Sequence, residues 1–437
     1  MHNSSRGSAR RALLGAASAI GLAALIAGCS TGGGTPAASD GYTPPAKDLK
    51  AEITYAFWDE TQKAAIEANV AGFNEEYPNI KVNLDVTPWE GYWTKVQTQA
   101  SSDTLPDLFW LNGPNFQLYA SNGKVEPITS EVDGGFIDPA NYPAGLVDLY
   151  NLDGVQYGVP KDFDTIGLWY NKAIFEQAGV DTPTDDWTWD DLSTAANAIS
   201  QKLSADGIYG VAGGMDGQTT YYNTIFQAGG EVVTDGGKGS GYDTPEDQAG
   251  IQFWTDLIGS GASPSIQQLT DTPADQWFTS GKVAMYYGGS WARTAVKGSS
   301  VADVADVAAL PQGKKKAVVI HGVSNVVAAN SQNKQAAQAL QVYLASKVAQ
   351  QQQGDMGAVI PAFNGTQQAF ADSYPGVNLQ VFLDQTADAK PYPVSKNSAA
   401  WGAVETKLLP DAFSGAVPVA DVTKDLAAQM TDLLAKE

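Results

Sequence analysis

The hydrophobic and polar positions change their period repeatedly from about Leu49 onwards. Apolar runs at 53–58 and 80–86 are rich in β-branched and aromatic residues, and between them apolar residues recur every three or four positions over 66–77. The runs are typical of strands, and the recurrence is typical of an amphipathic helix. A nearly continuous apolar run at 106–112 is typical of a strand buried on both faces. This order of elements predicts an α/β fold.

The same alternation continues along the chain, without an internal repeat. Thr188 precedes Asp190 and Asp191, so its hydroxyl should cap a helix that starts there. We predict further strands at 166–170, 207–211, 282–287, 317–320 and 324–328. We predict further helices at 172–178, 190–203, 220–227, 335–344, 399–409 and 419–436.

The first residues have the pattern of an export signal. Three arginines precede an uncharged apolar run at 12–27, and this run is too short and too rich in Gly, Ala and Ser to span about 30 Å of hydrocarbon. The motif Ile26-Ala27-Gly28-Cys29 resembles the bacterial lipobox. We therefore expect residues 1–28 to be a lipoprotein signal peptide, and Cys29 to carry the lipid that anchors the chain to a membrane.

Residues 29–48 are rich in Gly, Pro, Ser and Thr, a composition that is typical of a flexible linker. About 390 residues follow the linker, and domains commonly contain about 100–200 residues. The length therefore predicts two lobes.

Composition and charge exclude several functions. The chain has 26 basic and 48 acidic residues and a formal net charge of −22, so nucleic acid is an unfavourable partner. Cys29 is the only cysteine, which excludes a disulfide framework. His321 is the only histidine that remains after signal removal. The sequence therefore does not favour a Ser-His-Asp triad and lacks the histidines of a multi-histidine zinc site. We expect no cofactor and no catalytic metal, and the sequence leaves a structural cation open.

Asp162 and Asp164 are a candidate pair of carboxylates. Separated by one residue, they are compatible with the acid–base pair of a carbohydrate-acting enzyme, with a cation contact, or with a solvated turn before a strand. The spacing by itself does not decide between these alternatives.

Aromatic and amide side chains occur where predicted strands end. Trp58 and Asn112 end two strands, Trp169 and Tyr170 end a later one, and Trp291 follows another. Ligands of open α/β sheets bind beyond the carboxyl ends of the strands, so these positions can converge on one cleft. Flat aromatic faces beside a few polar groups suit sugar rings. Core packing is the alternative for any single tryptophan.

Eight short motifs occur in an order that is familiar from one protein family. They are Phe57-Trp58, 106–113, 167–172, 188–192, 278–285, Gly289-Ser290-Trp291, 322–325 and Ile360-Pro361-Ala362. Together they resemble the family 1 extracellular solute-binding proteins of ABC-class carbohydrate importers, and the resemblance covers about residues 50–370. Each motif alone is weak evidence.

The resemblance implies a two-lobed periplasmic-binding-protein-like fold with a hinge and a central ligand cleft. We expect lobe I to comprise 49–163 and 314–370, and lobe II 164–313 and 371–437. By position, the implied ligand contacts are Trp58, Asp107, Asn112, Asp164, Trp189, Trp291, His321 and Gly322. His321 and Gly322 replace what is often a run of glycines, so His321 either contacts the ligand or fills the hinge.

We therefore expect a binding protein rather than an enzyme. It should capture a carbohydrate, an oligosaccharide, in the cleft and deliver it to ABC permease subunits, as a monomer anchored on the outer face of the cytoplasmic membrane. The alternatives are an extracellular carbohydrate-acting enzyme that uses a carboxylate pair, and a passive surface adhesin. The sequence does not name the sugar, its linkage or the permease.

Overall fold

Strands and helices alternate along most of the chain, as the hydrophobic pattern predicts. The structure is a computed structural model and describes residues 41–437. Its strands are β1 Ala51–Phe57, β2 Ile80–Val86, β3 Leu108–Asn112, β4 Asn151–Leu152, β5 Val155–Gln156, β6 Pro160–Asp164, β7 Ile166–Asn171, β8 Tyr209–Ala212, β9 Val233–Thr234, β10 Gly239–Ser240, β11 Val283–Gly289, β12 Ala305–Ala308, β13 Val318–Val327, β14 Ile360–Pro361 and β15 Ala389–Pro391. Its α-helices are α1 Lys63–Glu76, α2 Trp89–Ser101, α3 Gly113–Ser121, α4 Thr129–Asp133, α5 Ala144–Val147, α6 Lys172–Ala178, α7 Trp189–Leu203, α8 Tyr222–Ala228, α9 Pro245–Gly259, α10 Ile266–Asp271, α11 Ala274–Thr279, α12 Ala292–Lys297, α13 Lys334–Leu344, α14 Lys347–Asp355, α15 Gln368–Ala371, α16 Val381–Asp384, α17 Ser398–Phe413 and α18 Val419–Leu434.

Two sheets organise these elements. The larger sheet has seven strands in the order β14-β6-β13-β3-β1-β2, with β15 paired to β13. In this sheet β1 runs parallel to β2 and β3, whereas β13 runs antiparallel to β3 and β6. The smaller sheet has four strands in the order β12-β7-β11-β8. The predicted α/β class is confirmed.

The apolar faces of the sheets are covered by helices. One buried cluster packs β1 and β3 against α1 and α13, and a second packs the smaller sheet against α7, α9, α17 and α18. A third cluster covers the remaining faces of both sheets. The predicted cap of α7 is present, because Thr188 and Asp191 form a reciprocal capping box. In residues 41–437 no helix combines the length and the apolar character that a membrane span requires.

The segments 317–320 and 324–328, predicted as two strands, form the single strand β13. Its first residues pair with β15, its middle with β6, and its last five with β3. Hydrogen bonds to these neighbours hold the backbone extended through Gly322, where the sequence suggested an interruption. The register of its pairing with β6 shifts between Val323 and Ser324.

The chain passes between the two sheets at short connections. Thr165 alone separates β6 of the larger sheet from β7 of the smaller sheet, and it is fully buried, with its hydroxyl donating to the carbonyl of Phe382 over 2.7 Å. The chain returns to the larger sheet between β12 and β13. The cleft described next is lined by residues that lie close to these connections.

Candidate ligand-binding cleft

A cleft of about 600 Å³ is lined by residues from both sheets. The larger sheet contributes Trp58 directly after β1, Asn112 at the end of β3 and Asp164 at the end of β6. The smaller sheet contributes the segment 214–220 after β8 and the segment 288–292, from the end of β11 into α12. We call these two sets of residues the larger-sheet wall and the smaller-sheet wall. Strand ends from two sheets thus converge on one site, as expected for α/β folds.

Aromatic packing builds the larger-sheet wall. The Trp58 ring lies 4.9 Å from Trp110, 5.2 Å from Tyr92, 5.4 Å from Trp89 and 5.6 Å from Trp93, measured between ring centroids. Three of these neighbours share one face of α2 because they are spaced by three and four residues. Trp89 remains 49 % exposed and lines the cleft beside Trp58. The wall therefore presents a broad aromatic surface whose inner rings are locked in the core.

A carboxylate and an imidazole lie together between the two walls. Asp164 and His321 are partners across β6 and β13, and the Asp164 Oδ2 to His321 Nδ1 distance is 3.9 Å. Asp164 Oδ1 accepts a 2.7 Å hydrogen bond from Gln218 Nε2, which comes from the smaller-sheet wall. Burial raises the pKa of Asp164. His321 Nε2 is buried and has no hydrogen-bond partner within residues 41–437.

Both carboxylate oxygens of Asp162 have partners within the protein. Its Oδ1 accepts a 3.2 Å hydrogen bond from the Val323 backbone N–H, and its Oδ2 pairs with Lys161. Lys161 also donates to Gln62 Oε1 at 3.0 Å and lies 4.1 Å above the Trp110 ring centroid. Asp162 and Asp164 are therefore unequal, and only Asp164 keeps an oxygen without a protein donor.

In the smaller-sheet wall, the Trp291 ring packs against the backbone of Gly289. A Cβ at Gly289 would overlap the Trp291 ring, so a glycine is required for this ring position. Beside it, the hydroxyls of Tyr286 and Tyr287 are buried without a hydrogen-bond partner in the described chain. Burial raises the pKa of both phenols, so both are neutral donors at physiological pH.

Residues 58–351, more than half of the chain, match the family described as bacterial extracellular solute-binding protein. The chain belongs to this family. A solute-binding protein captures its ligand without breaking a bond, so the chain is a binding protein and not an enzyme.

Two curated relatives match this solute-binding protein over most of its length. A putative binding protein of Brucella abortus is 25 % identical over 88 % of this chain and 91 % of its own. The diacetylchitobiose-binding protein of Streptomyces coelicolor is 26 % identical over 75 % of this chain and 76 % of its own.

Solved structures support the fold. An ABC substrate-binding protein of Listeria monocytogenes, in complex with cycloalternan, superposes with a TM-score of 0.82 at 24 % identity, over 88 % of this chain and 99 % of its own. The GacH receptor of Streptomyces glaucescens gives a TM-score of 0.78 at 24 % identity, over 89 % and 100 % of the two chains.

Five of the residues that the sequence selects lie together in the cleft of the solute-binding protein. They are Trp58, Asn112, Asp164, Trp291 and His321. Their separation along the chain is large, and the sheet order brings them together. Their contact with a ligand stays a prediction.

Asp107, another implied ligand contact, makes hydrogen bonds within the protein. It precedes β3, at the opposite end from Asn112, and its Oδ2 accepts a 2.9 Å hydrogen bond from the Thr54 backbone N–H. Its Oδ1 accepts a 2.6 Å bond from the Ser331 hydroxyl. The two carboxylate oxygens thus tie the start of β3 to β1 and to the segment after β13, and Asp107 is not among the described residues that line the cleft.

Trp189 is also absent from the lining. Its ring stacks on Phe253 with centroids 4.7 Å apart, and its Nε1 donates to Gln227 Oε1 at 2.7 Å. These contacts join the start of α7 to α8 and α9, so this tryptophan packs helices together. Trp169 likewise is fully buried in the core.

Gly322 lies beside the cleft but does not line it. Its carbonyl accepts a 2.6 Å hydrogen bond from the Tyr150 hydroxyl, and a Cβ there would lie 2.8 Å from the Asp162 carbonyl oxygen. The glycine allows β13 and β6 to approach closely. These contacts explain the glycine by packing, and its contact with a ligand stays a prediction.

The cleft also contains residues that the sequence analysis did not select, notably Trp89, Gln218 and Asp216. Trp89 has a detectable signal, since it shares the aromatic spacing of α2. Asp216 Oδ1 caps the following turn by accepting from the Thr219 backbone N–H at 2.7 Å, a pattern visible in sequence but common in turns. Gln218 has no sequence signal, because only the fold brings it to Asp164.

Proposed function

We propose that this solute-binding protein captures an oligosaccharide in the cleft and delivers it to the permease subunits of an ABC importer. The observation that carries the proposal is that Trp58 and Trp291, contributed by different sheets, line one cleft with hydrogen-bonding groups between them. Indole faces suit the C–H faces of sugar rings, and Asn112, Asp164 and His321 supply polar contacts for hydroxyls. The names of the Streptomyces and Listeria relatives, which refer to sugar ligands, support this ligand class.

A thermal-shift screen against mono- and oligosaccharides tests the proposal. A ligand at a hundredfold excess over its Kd stabilises the folded state by about 2.7 kcal/mol, so a cognate sugar should raise the melting temperature clearly. Chromatography of the recovered sugar is the companion measurement. Unchanged sugar supports capture, whereas a cleaved product would support the enzyme alternative and overturn our proposal. A screen without any shift would favour the adhesin.

We further propose that the protein closes on its ligand. The proposed lobes are 49–163 with 314–370 and 164–313 with 371–437, joined near Thr165 and the connection before β13. A sugar that contacts both walls would favour the closed form through its additional contacts there. Small-angle X-ray scattering of the monomer should give a smaller radius of gyration with saturating sugar. An unchanged radius despite proven binding would contradict the hinge.

Lipid anchoring through Cys29 is the remaining part of the proposal, and Cys29 lies outside the described residues. The lipobox motif supports removal of 1–28 and attachment at the outer face of the cytoplasmic membrane. The Cys29→Ser variant should appear in the soluble fraction with its sugar affinity intact. If this variant partitions with membranes as the parent does, the lipoprotein assignment is wrong.

A further inference from the structure

The charges around the cleft are unbalanced. Its lining contains five carboxylates and, among the described residues, no lysine or arginine; they are Asp59, Asp162, Asp164, Asp216 and Asp275. Lys161, the residue before Asp162, is 2 % exposed and paired with Asp162. Among the described residues of the lining, His321 is the one side chain that can become cationic.

Three of the five carboxylates keep an oxygen without a protein donor within residues 41–437. Gln218 uses one oxygen of Asp164, and Thr219 uses one oxygen of Asp216. The exposed side chain of Asp275 accepts no hydrogen bond from the described residues. In contrast, both oxygens of Asp59 and of Asp162 have donors.

A second observation also points to a ligand in this position. His321 is 4 % exposed and lines the cleft; its Nδ1 lies 3.9 Å from Asp164 Oδ2, and its Nε2 has no hydrogen-bond partner within residues 41–437. The buried hydroxyls of Tyr286 and Tyr287 also lack hydrogen-bond partners in the described part of the chain. Buried polar groups are normally satisfied, so a ligand that supplies hydrogen-bonding groups would complete this site.

We propose that the cleft selects its sugar by charge. Sugars that carry a protonated amine should bind more tightly than neutral sugars of the same linkage, and sugars that carry a carboxylate should bind most weakly. This inference rests on the proposed function and concerns the same site.

The physical reason is the low dielectric of the cleft. Burial desolvates Asp164 and raises its pKa, and within residues 41–437 its Oδ2 accepts no hydrogen bond that would compensate the lost hydration. An ammonium near Oδ2 would supply this compensation, whereas a ligand anion would add another negative charge in the same place. Carboxylates farther than about 8 Å from the ligand contribute little at physiological ionic strength, so Asp164 should dominate.

Isothermal titration calorimetry of the purified protein with matched sugars tests the proposal. The neutral parents are cellobiose, maltose, lactose and their longer homologues, each compared at pH 6 with its 2-amino-2-deoxy and uronic-acid derivatives. For the parent that binds, we expect the amine to bind about tenfold more tightly and the uronate about tenfold more weakly, which corresponds to about 1.4 kcal/mol each. Both differences should shrink in 0.5 M NaCl.

Two substitutions that each remove one negative charge test whether the preference for the amine arises in the cleft. Asp164→Asn should remove most of the preference for the amine, whereas Asp421→Asn, at an exposed position on α18 outside the lining, should retain it. If Asp164→Asn abolishes all binding, Asp275→Asn at the exposed edge of the cleft serves instead and should reduce the preference.

The outcomes separate this inference from the proposed function. Equal affinity for the neutral sugar and its uronate would overturn charge selection and leave sugar capture intact. An Asp421→Asn variant that loses the preference as fully as the cleft variant would assign the effect to net charge and overturn the role of the cleft. Failure of every parent and derivative to bind would overturn the proposed function, and this inference with it.

Discussion

The two walls of the cleft hold a tryptophan in different ways. Trp58 of the larger-sheet wall packs against four other aromatic rings, two of which, Tyr92 and Trp110, are fully buried. Trp291 of the smaller-sheet wall lies over the bare backbone of Gly289. The first ring is positioned by many side chains, and the second by the absence of one Cβ. One chemical surface can thus be built by dense packing or by close approach to the backbone.

The largest effect on sugar affinity is expected when either indole is removed. Trp58→Ala and Trp291→Ala should each weaken sugar binding by about 1–4 kcal/mol, the range for truncating an aromatic anchor. Trp58→Ala should also lower the melting temperature more than Trp291→Ala, because four rings lose a partner. Calorimetry measures the affinities and differential scanning calorimetry the stabilities. Equal affinity in parent and variants, with folding verified by circular dichroism, would remove these residues from the site.

A tryptophan outside both walls provides the contrast. Trp189→Ala should reduce the free energy of unfolding by about 3 kcal/mol, because the stacking on Phe253 and the bond to Gln227 are lost. Its sugar affinity should match the parent at temperatures where the variant is folded. Chemical denaturation measures the first quantity and calorimetry the second. A loss of affinity with unchanged stability would return Trp189 to the ligand site.

A buried carboxylate behind the smaller-sheet wall should make the stability of the protein depend on pH. The turn 217–221 of this wall leads into Tyr222, whose hydroxyl donates to Glu405 Oε1 over 2.9 Å, and Tyr242 donates to the same oxygen. Burial raises the pKa of Glu405 to about 7. The Glu405 carboxyl therefore binds its proton more tightly in the native state than in the unfolded state. The resulting stability is present below about pH 4.5 and is lost as the pH rises through about 7.

The Glu405→Gln variant isolates this contribution. Between pH 5 and 8 the parent should lose about 2–3 kcal/mol more stability than the variant, as measured by urea denaturation across the pH range. Burial also raises the pKa of Asp247, to about 8, but Asp247 is present in both proteins and its effect cancels in the difference. Parallel pH profiles of the two proteins would show that Glu405 does not titrate as expected.

The smallest expected effect on sugar affinity comes from adding a single methyl group beneath Trp291. Gly289→Ala should displace the Trp291 ring and weaken binding by about 1–2 kcal/mol, within the range for overpacking. The matched control is Gly145→Ala, where an added Cβ meets nothing within 4 Å. Unchanged affinity in both variants would show that Trp291 tolerates a shifted position.

Local signals predicted much of the fold. The strand Ile80–Val86 and the helix Lys172–Ala178 have the predicted bounds, and Thr188 caps α7 as expected. These features depend on side-chain alternation and on hydrogen bonds between near neighbours, which a sequence displays directly. The two predicted strands at 317–320 and 324–328 are one strand because pairing with distant strands overrides the local effect of Gly322.

The sequence by itself determined the α/β alternation, the family and the places where aromatic residues follow strands. Tertiary structure decided which of these residues share a cleft. Trp189 and Trp291 look alike in the sequence, yet the first, partly buried, stacks on Phe253 beside the core, and the second lines the cleft. Gln218 and Asp164 are 54 residues apart, and their 2.7 Å contact exists only because the smaller sheet packs beside the larger one. The reason is physical: periodicity fixes which face of an element is buried, but the packing of distant elements fixes what that face meets.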